Sequence, residues 1–200
     1  MPKPEDQINR VARKKQIIRS RDFPGISNPT VYFNRLVANG HLVRLGRGLY
    51  ARPDRRMSVY HSLVEACERI PSGVICLLSA LSFHGFTTQN PAEVWIALHS
   101  NFTPSRGGVR LRPIRMSGPA FNHAIERHNI EGIEIRVFPA AKTVADCFKF
   151  RNKVGLDVAL EALREGWRLK KFTMDELWAA AAACRIQKII RPYMETIVAL

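Results

Sequence analysis

Acidic residues are scarce. The chain has 17 Asp and Glu against 31 Lys and Arg in 200 residues, a net charge of +14. That balance points to nucleic acid or another anionic surface as partner. Cysteine is also sparse: Cys67, Cys76, Cys147 and Cys184 are scattered, with no C-x-x-C pair. They are expected to be reduced and buried, in a cytoplasmic protein. The six histidines show no H-x-x-x-H spacing, so no metal site is expected. No run nears the roughly 20 apolar residues that span a bilayer. The opening "MPKPEDQINR" lacks the apolar centre of a secretory signal, so no membrane partner is expected. No lysine has Asp or Glu two positions before it, which removes the [D/E]-x-K core of restriction-type nucleases. G-x-S-x-G, the P-loop and H-E-x-x-H are missing too. The expectation is a protein that is not an enzyme and needs no cofactor.

What is present is uneven. Residues 1–56 hold 13 Lys and Arg against 4 Asp and Glu, a net of +9, and residues 57–200 supply the remaining +5. Residues 5–15 place Ile8, Val11 and Ala12 on one side of a predicted helix. Ser20 is a candidate N-cap for a very short second helix, ended by Pro24-Gly25. Ser27 or Asn28 caps a third, with Pro29 in its first turn, where a missing N–H costs nothing. Phe33, Leu36 and Val37 form its buried stripe, and Asn39-Gly40 closes it with a left-handed turn. "HLVRL" and "GLYAR" then read as two strands joined at Gly46-Arg47-Gly48. Their register leaves open whether Leu42 or Arg44 points inward.

Helix, short helix, turn, helix and two-stranded wing is the order of a winged helix-turn-helix. Such a third helix fits a major groove about 12 Å wide. Its exposed side holds Thr30, Tyr32, Asn34 and Arg35. Asn reads adenine and Arg reads guanine in bidentate fashion, so Thr30, Asn34 and Arg35 are candidates for base or backbone contact. Tyr32 either shields a phosphate or packs on the wing. Arg19, Arg21, Arg44 and Arg47 are candidates for phosphate contacts, which give affinity without reading sequence. Tyr50 is expected to close the wing by packing.

Residues 53–58 look like a boundary, so residues 1–56 and 57–200 are the expected domains. The fold class expected is mixed α+β: the winged helix, then a larger domain with a small mixed sheet and C-terminal helices. Residues 60–70 and 73–86 have helical patterns, 93–99 and 109–116 those of strands, and 101–108 that of a loop. Residues 121–138 resemble a hairpin turning at Glu131-Gly132. From residue 139 the chain is predicted helical. Gly166 ends one helix, Thr173 with Glu176 makes a capping box for the next, and a last helix covers 188–198. Lys142, Thr143 and Asp146 share one side of a helix start, where an i,i+4 pair adds about 0.2–0.5 kcal/mol. The trio either fixes that helix against the sheet or meets a partner directly. Arg136, Lys149, Arg151, Lys153, Arg168, Lys170 and Lys171 are either a second basic surface or ordinary solvated side chains.

"NRLVANGHLVRLGRGLYARP" resembles the N-terminal domain of AbiEi-family antitoxins of type IV (AbiE-type) toxin–antitoxin systems. The family pattern R-L-V-x-x-G-x-L-x-R-x-x-R-G-x-Y is matched through Arg35, Leu36, Val37, Gly40, Leu42, Arg44, Arg47, Gly48 and Tyr50. "PAAKTVADCFKFRNKVGLDVALEALRE" is similar to the K-T-x-x-D segment of the family's C-terminal domain, and "LLSALSFHGF" to that domain's early helix. The resemblance implies a repressor that binds double-stranded DNA at its own promoter, commonly at inverted repeats. It also implies an antitoxin domain, with Lys142, Thr143 and Asp146 in its motif. That domain counters a nucleotidyltransferase-like toxin without needing a stable complex. The alternative is a stand-alone winged-helix regulator whose C-terminal domain binds a ligand or partner. No heptad is visible, so a monomer that pairs on adjacent half-sites is expected.

Overall fold

The computed structural model describes residues 3–15, 17–46, 48–54, 58–87, 91–99 and 109–198. The chain forms two compact units: Met1–His61 with Asn129–Ile133, and Ser62–His128 with Glu134–Leu200.

The first unit begins with helix α1 (Pro4–Lys14), which buries Ile8 and Ala12. Strand β1 (Ile18–Arg19) and a 3-10 turn (Ser20–Asp22) follow. Ser20 is not the cap expected of it. It lies inside the turn, and the Asp22 carboxylate reaches back to accept from the Arg19 N–H at 2.8 Å. Helix α2 (Pro29–Ala38) starts after Asn28, which takes a left-handed φ of 48° and whose side chain makes no capping bond. The expected Asn or Ser cap is thus replaced by a backbone turn with proline behind it. The far end closes as expected. Gly40 has φ 72°, and the Gly40 and His41 amides donate to the Val37 and Leu36 carbonyls at 3.0 and 2.9 Å.

Strands β2 (Val43–Gly46) and β3 (Leu49–Ala51) are the two arms of the wing. With β1 they make a three-stranded antiparallel sheet in the order β1-β3-β2. Strand β1 has no counterpart among the predicted elements, because two residues carry no periodicity. The open register is settled: Leu42 is buried and Arg44 exposed. A bulge between Arg44 and Gly46 shifts the pairing. Phe33 is the centre of this unit's core, edge-on to Phe23 at 5.7 Å and tilted against Tyr50 at 4.5 Å between ring centroids. Tyr50 is therefore a packing residue, as expected.

The other helices and strands are α3 (His61–Arg69), β4 (Val74–Ile75), α4 (Leu77–His84), β5 (Val94–His99), β6 (Leu111–Met116), α5 (Pro119–Asn122), β7 (Glu126–Ile130), β8 (Ile133–Val137), α6 (Ala140–Lys149), α7 (Arg151–Val154), α8 (Leu156–Arg168), α9 (Met174–Cys184) and α10 (Gln187–Val198). The sheet runs β6-β5-β4-β8-β7. It is mixed: β4 is antiparallel to β5 and parallel to β8, while β5 is parallel to β6. Two expectations change here. Val74 and Ile75 form a strand rather than the start of a helix, since an apolar run buried on all sides carries no period to separate the two. Phe121 and Asn122, expected to begin a hairpin arm, end a helical turn (Pro119–Asn122) instead. The hairpin turn itself is as expected, with Glu131 and Gly132 both at positive φ (54° and 79°).

Helix α6 is buried along almost its whole length, from Ala140 to Phe148. Its Val144 and Phe148 share one core with Leu163 of α8, Leu177 of α9 and Ile190 of α10. Gly166 does not end α8. It lies inside the helix, where an added Cβ would come within 2.2 Å of the Phe172 ring. Lys170 takes the left-handed position instead, at φ 52°. The capping box of α9 forms as expected, with the Glu176 N–H donating to Thr173 Oγ1 at 3.2 Å and the Thr173 N–H to Glu176 Oε2 at 2.7 Å.

Candidate nucleic-acid interface

Helix α2 presents two faces. Phe33 and Leu36 are buried and Val37 is half-buried, as the i, i+3, i+4 spacing requires. The other face exposes Thr30, Val31, Asn34 and Arg35. The structure thus brings three predicted reading residues onto one solvent-facing stripe. Tyr32 is half-buried and packs against the core of its unit. The start of α2 carries no side-chain cap, so its positive dipole end faces outward with no carboxylate of its own upon it.

The predicted cations have different surroundings. Arg21 is exposed. Arg44 is exposed on β2, paired in register with Tyr50 of β3. Arg47 lies outside the described residues. Arg35 is 60% exposed and meets Glu5 of α1 at 3.1 Å. So open a pair has little strength, and a phosphate or base edge can compete for the guanidinium. Arg19 is half-buried, and one of its terminal nitrogens donates to the Gly132 carbonyl at 2.8 Å.

Sequence reasoning missed several features of this unit. Lys15 pairs with Asp22 at 2.8 Å. Burial pushes the Asp22 carboxyl up, but the Lys15 ammonium and the Arg19 amide outweigh it and hold the group below its usual range. Ser20 and Thr30 share a hydrogen bond at 3.5 Å, which ties the 3-10 turn to the start of α2. Ser58 N–H donates to the buried Glu131 carboxylate at 2.9 Å, and His61 Nδ1 lies 3.0 Å from its other oxygen. The Lys15–Asp22 pair had only its short spacing as a signal. The bonds to Glu131 join residues so far apart along the chain that no local pattern marks them.

The other predicted trio is buried elsewhere. Lys142, Thr143 and Asp146 expose 1% or less of their surface. Lys142 Nζ donates to Asp146 Oδ2 at 2.5 Å and lies 4.1 Å from the centroid of the Phe138 ring. Thr143 Oγ1 donates to the Phe138 carbonyl at 3.0 Å, which ties α6 to the end of β8. Cys184 Sγ donates to Asp146 Oδ1 at 3.2 Å. The expected i,i+4 pair thus exists, in a desolvated setting rather than at a surface. None of these three side chains reaches the surface.

The segment that carries α2 and the three-stranded sheet has a counterpart among known families. Residues 6–53 match the family model of transcriptional regulator, AbiEi antitoxin. This AbiEi-type segment begins in α1 and ends just after β3, so it takes in all of α2 and strands β1, β2 and β3. It is about a quarter of the chain. Lys142, Thr143 and Asp146 lie beyond it. No curated protein matches the chain. Among the described residues no group of three or more His, Cys, Asp or Glu is placed to hold a metal, and no helix is long and apolar enough to cross a membrane.

Proposed function

We propose that the chain is a DNA-binding transcriptional repressor of its own operon and the antitoxin of an AbiE-like system directed against a nucleotidyltransferase-like toxin. The observation that carries the DNA-binding half is the solvent-facing stripe of Thr30, Asn34 and Arg35 on α2, beside a cationic wing in an AbiEi-type segment. In this reading α2 enters the major groove with its uncapped end toward the backbone. Asn34 and Arg35 read base edges, and Arg21, Arg44 and Arg47 hold phosphates. Arg19 acts through the backbone it fixes at Gly132 as much as through charge. The antitoxin half is supported by the resemblance of residues 139–165 to the family's C-terminal segment. The buried Lys142–Asp146 pair then shapes that domain rather than touching the toxin.

The test is titration of the DNA upstream of the reading frame, followed by fluorescence anisotropy at several salt concentrations. Replacing Asn34 and Arg35 by alanine is expected to remove the preference for the upstream duplex over a scrambled one, at about 1–3 kcal/mol for each bidentate pairing with a base. Replacing Arg44 and Arg47 is expected to weaken both duplexes alike and to flatten the log–log salt slope by about 1.8. Binding unaltered by that double replacement would rule out the wing. For the antitoxin half, co-expression with the neighbouring frame is expected to relieve growth arrest. Deleting residues 57–200 is expected to abolish the relief.

A further inference from the structure

The turn between α8 and α9 reverses the chain around a groove of about 810 Å³ that the proposed function does not use. Its apolar surface comes from Trp167, Phe172 and Met174, and its cations are Arg168, Lys170 and Lys171. Trp167, which lines the groove, is 36% exposed. A large ring thus keeps about a third of its surface open beside an apolar floor.

The groove is built rather than loose. Phe172 is buried against Gly166, where any β-carbon would collide with its ring. The Lys170 and Lys171 amides close the end of α8 by donating to the Trp167 and Gly166 carbonyls at 3.0 and 2.9 Å. The lysines therefore project from a fixed turn, which lowers the ordering cost of binding. The nearby carboxylates are occupied: Glu165 holds Arg168 at 2.7 Å, and Glu176 caps α9. Lys170 and Lys171 are exposed and have no carboxylate partner among the described residues.

We propose that this groove docks an acidic protein segment that carries an aromatic or aliphatic anchor. The anchor packs on Trp167, Phe172 and Met174, and flanking carboxylates meet Lys170 and Lys171. Charge complementarity selects this occupant. A second copy of a chain at +14 brings like charge to a cationic rim. Single-stranded nucleic acid favours a run of stacking rings along a charged track. Here one exposed ring borders an apolar floor, and the groove's guanidinium is already held by Glu165. The inference does not depend on the DNA-binding reading, because it concerns residues beyond the AbiEi-type segment.

The probe is a library of short random peptides displayed on phage and selected against the full-length protein. Recovered peptides are expected to pair Asp or Glu with Trp, Phe or Leu. Their affinity is expected to drop about tenfold or more for Trp167→Ala and for Lys170→Glu with Lys171→Glu. Both changes lie at exposed positions, and each variant's urea midpoint shows whether its fold is kept. Trp178→Ala, at an exposed tryptophan that does not line the groove, is the control and is expected to bind as the parent does. An oligo-dT strand serves as the nucleic-acid arm. Recovery of no binders, of binders without acidic bias, or of binders indifferent to these substitutions overturns the proposal. So does binding of oligo-dT that disappears in the same variants.

Discussion

Asp146 shows how much one buried carboxylate depends on its neighbours. Burial raises its pKa above the ordinary 3.8, while Lys142 and the Cys184 thiol pull it back. The net direction is upward, so the native state holds this proton more tightly than the unfolded chain. Its contribution to stability therefore falls as pH rises from about 3.8 through the native value, the reverse of an exposed carboxylate in an ion pair. Asp146→Asn is expected to destabilise by about 3–5 kcal/mol in urea unfolding at neutral pH, because it leaves the Lys142 ammonium buried without its counter-charge. Lys142→Met with Asp146→Leu is expected to lie close to the parent and to lack that pH slope. A double variant as unstable as the single one would mean the charges themselves hold α6 in place. The same desolvation pushes the Cys184 thiol up to about 12 and Cys67 to about 11. These thiols are thus protonated at neutral pH, and all four cysteines are free and buried, as their scattered, unpaired positions led one to expect.

At the scale of elements, Gly166 marks the limit of reading punctuation from sequence. A glycine after an amphipathic run reads as a helix stop, yet here it keeps helical geometry to let Phe172 approach. Gly166→Ala gains about 1 kcal/mol of helix propensity, but the collision with Phe172 costs about 1–3 kcal/mol. Net destabilisation is expected, and Phe172→Leu in the same chain is expected to recover part of it. If Gly166 were a stop, the second change would only add to the damage, so a double-mutant cycle in urea separates the two. Elements closed by local chemistry were legible: the Thr173–Glu176 box, the Asn39-Gly40 end of α2 and the Glu131-Gly132 turn. Helix α2 was legible too, because Phe33 and Leu36 keep the period of a half-buried helix. What escaped was short or long-range. Strands β1 and β4 have two residues each. The bonds from Arg19 to Gly132 and from Ser58 to Glu131 join segments that sequence order keeps far apart. The reading stripe of the candidate interface was visible in the spacing of α2 alone. The pairing of Arg35 with Glu5 was not, because a partner 30 residues away on another helix leaves no spacing to read.

Over the whole molecule, charge is concentrated where DNA contact is proposed: +9 of the +14 belongs to residues 1–56. The cations of the second unit are more dispersed and partly committed. Lys149 and Lys153 both lie near the Phe150 ring, at 5.9 and 6.0 Å from its centroid. Arg136 donates to the Ser72 carbonyl at 2.7 Å, and Arg151 to that of Phe148 at 3.0 Å. If the first unit alone grips the duplex, Lys149→Gln with Lys153→Gln removes two charges that displace no counterion from the DNA on binding. The log–log salt slope of operator binding is then expected to stay at the parent value. Each wing arginine removed lowers it by about 0.9. A slope that falls by about 1.8 in the lysine double variant would instead place both lysines on phosphate, and the footprint would extend beyond the AbiEi-type segment. Net charge alone cannot separate these outcomes, since two charges disappear either way and only ions displaced by contact enter the slope.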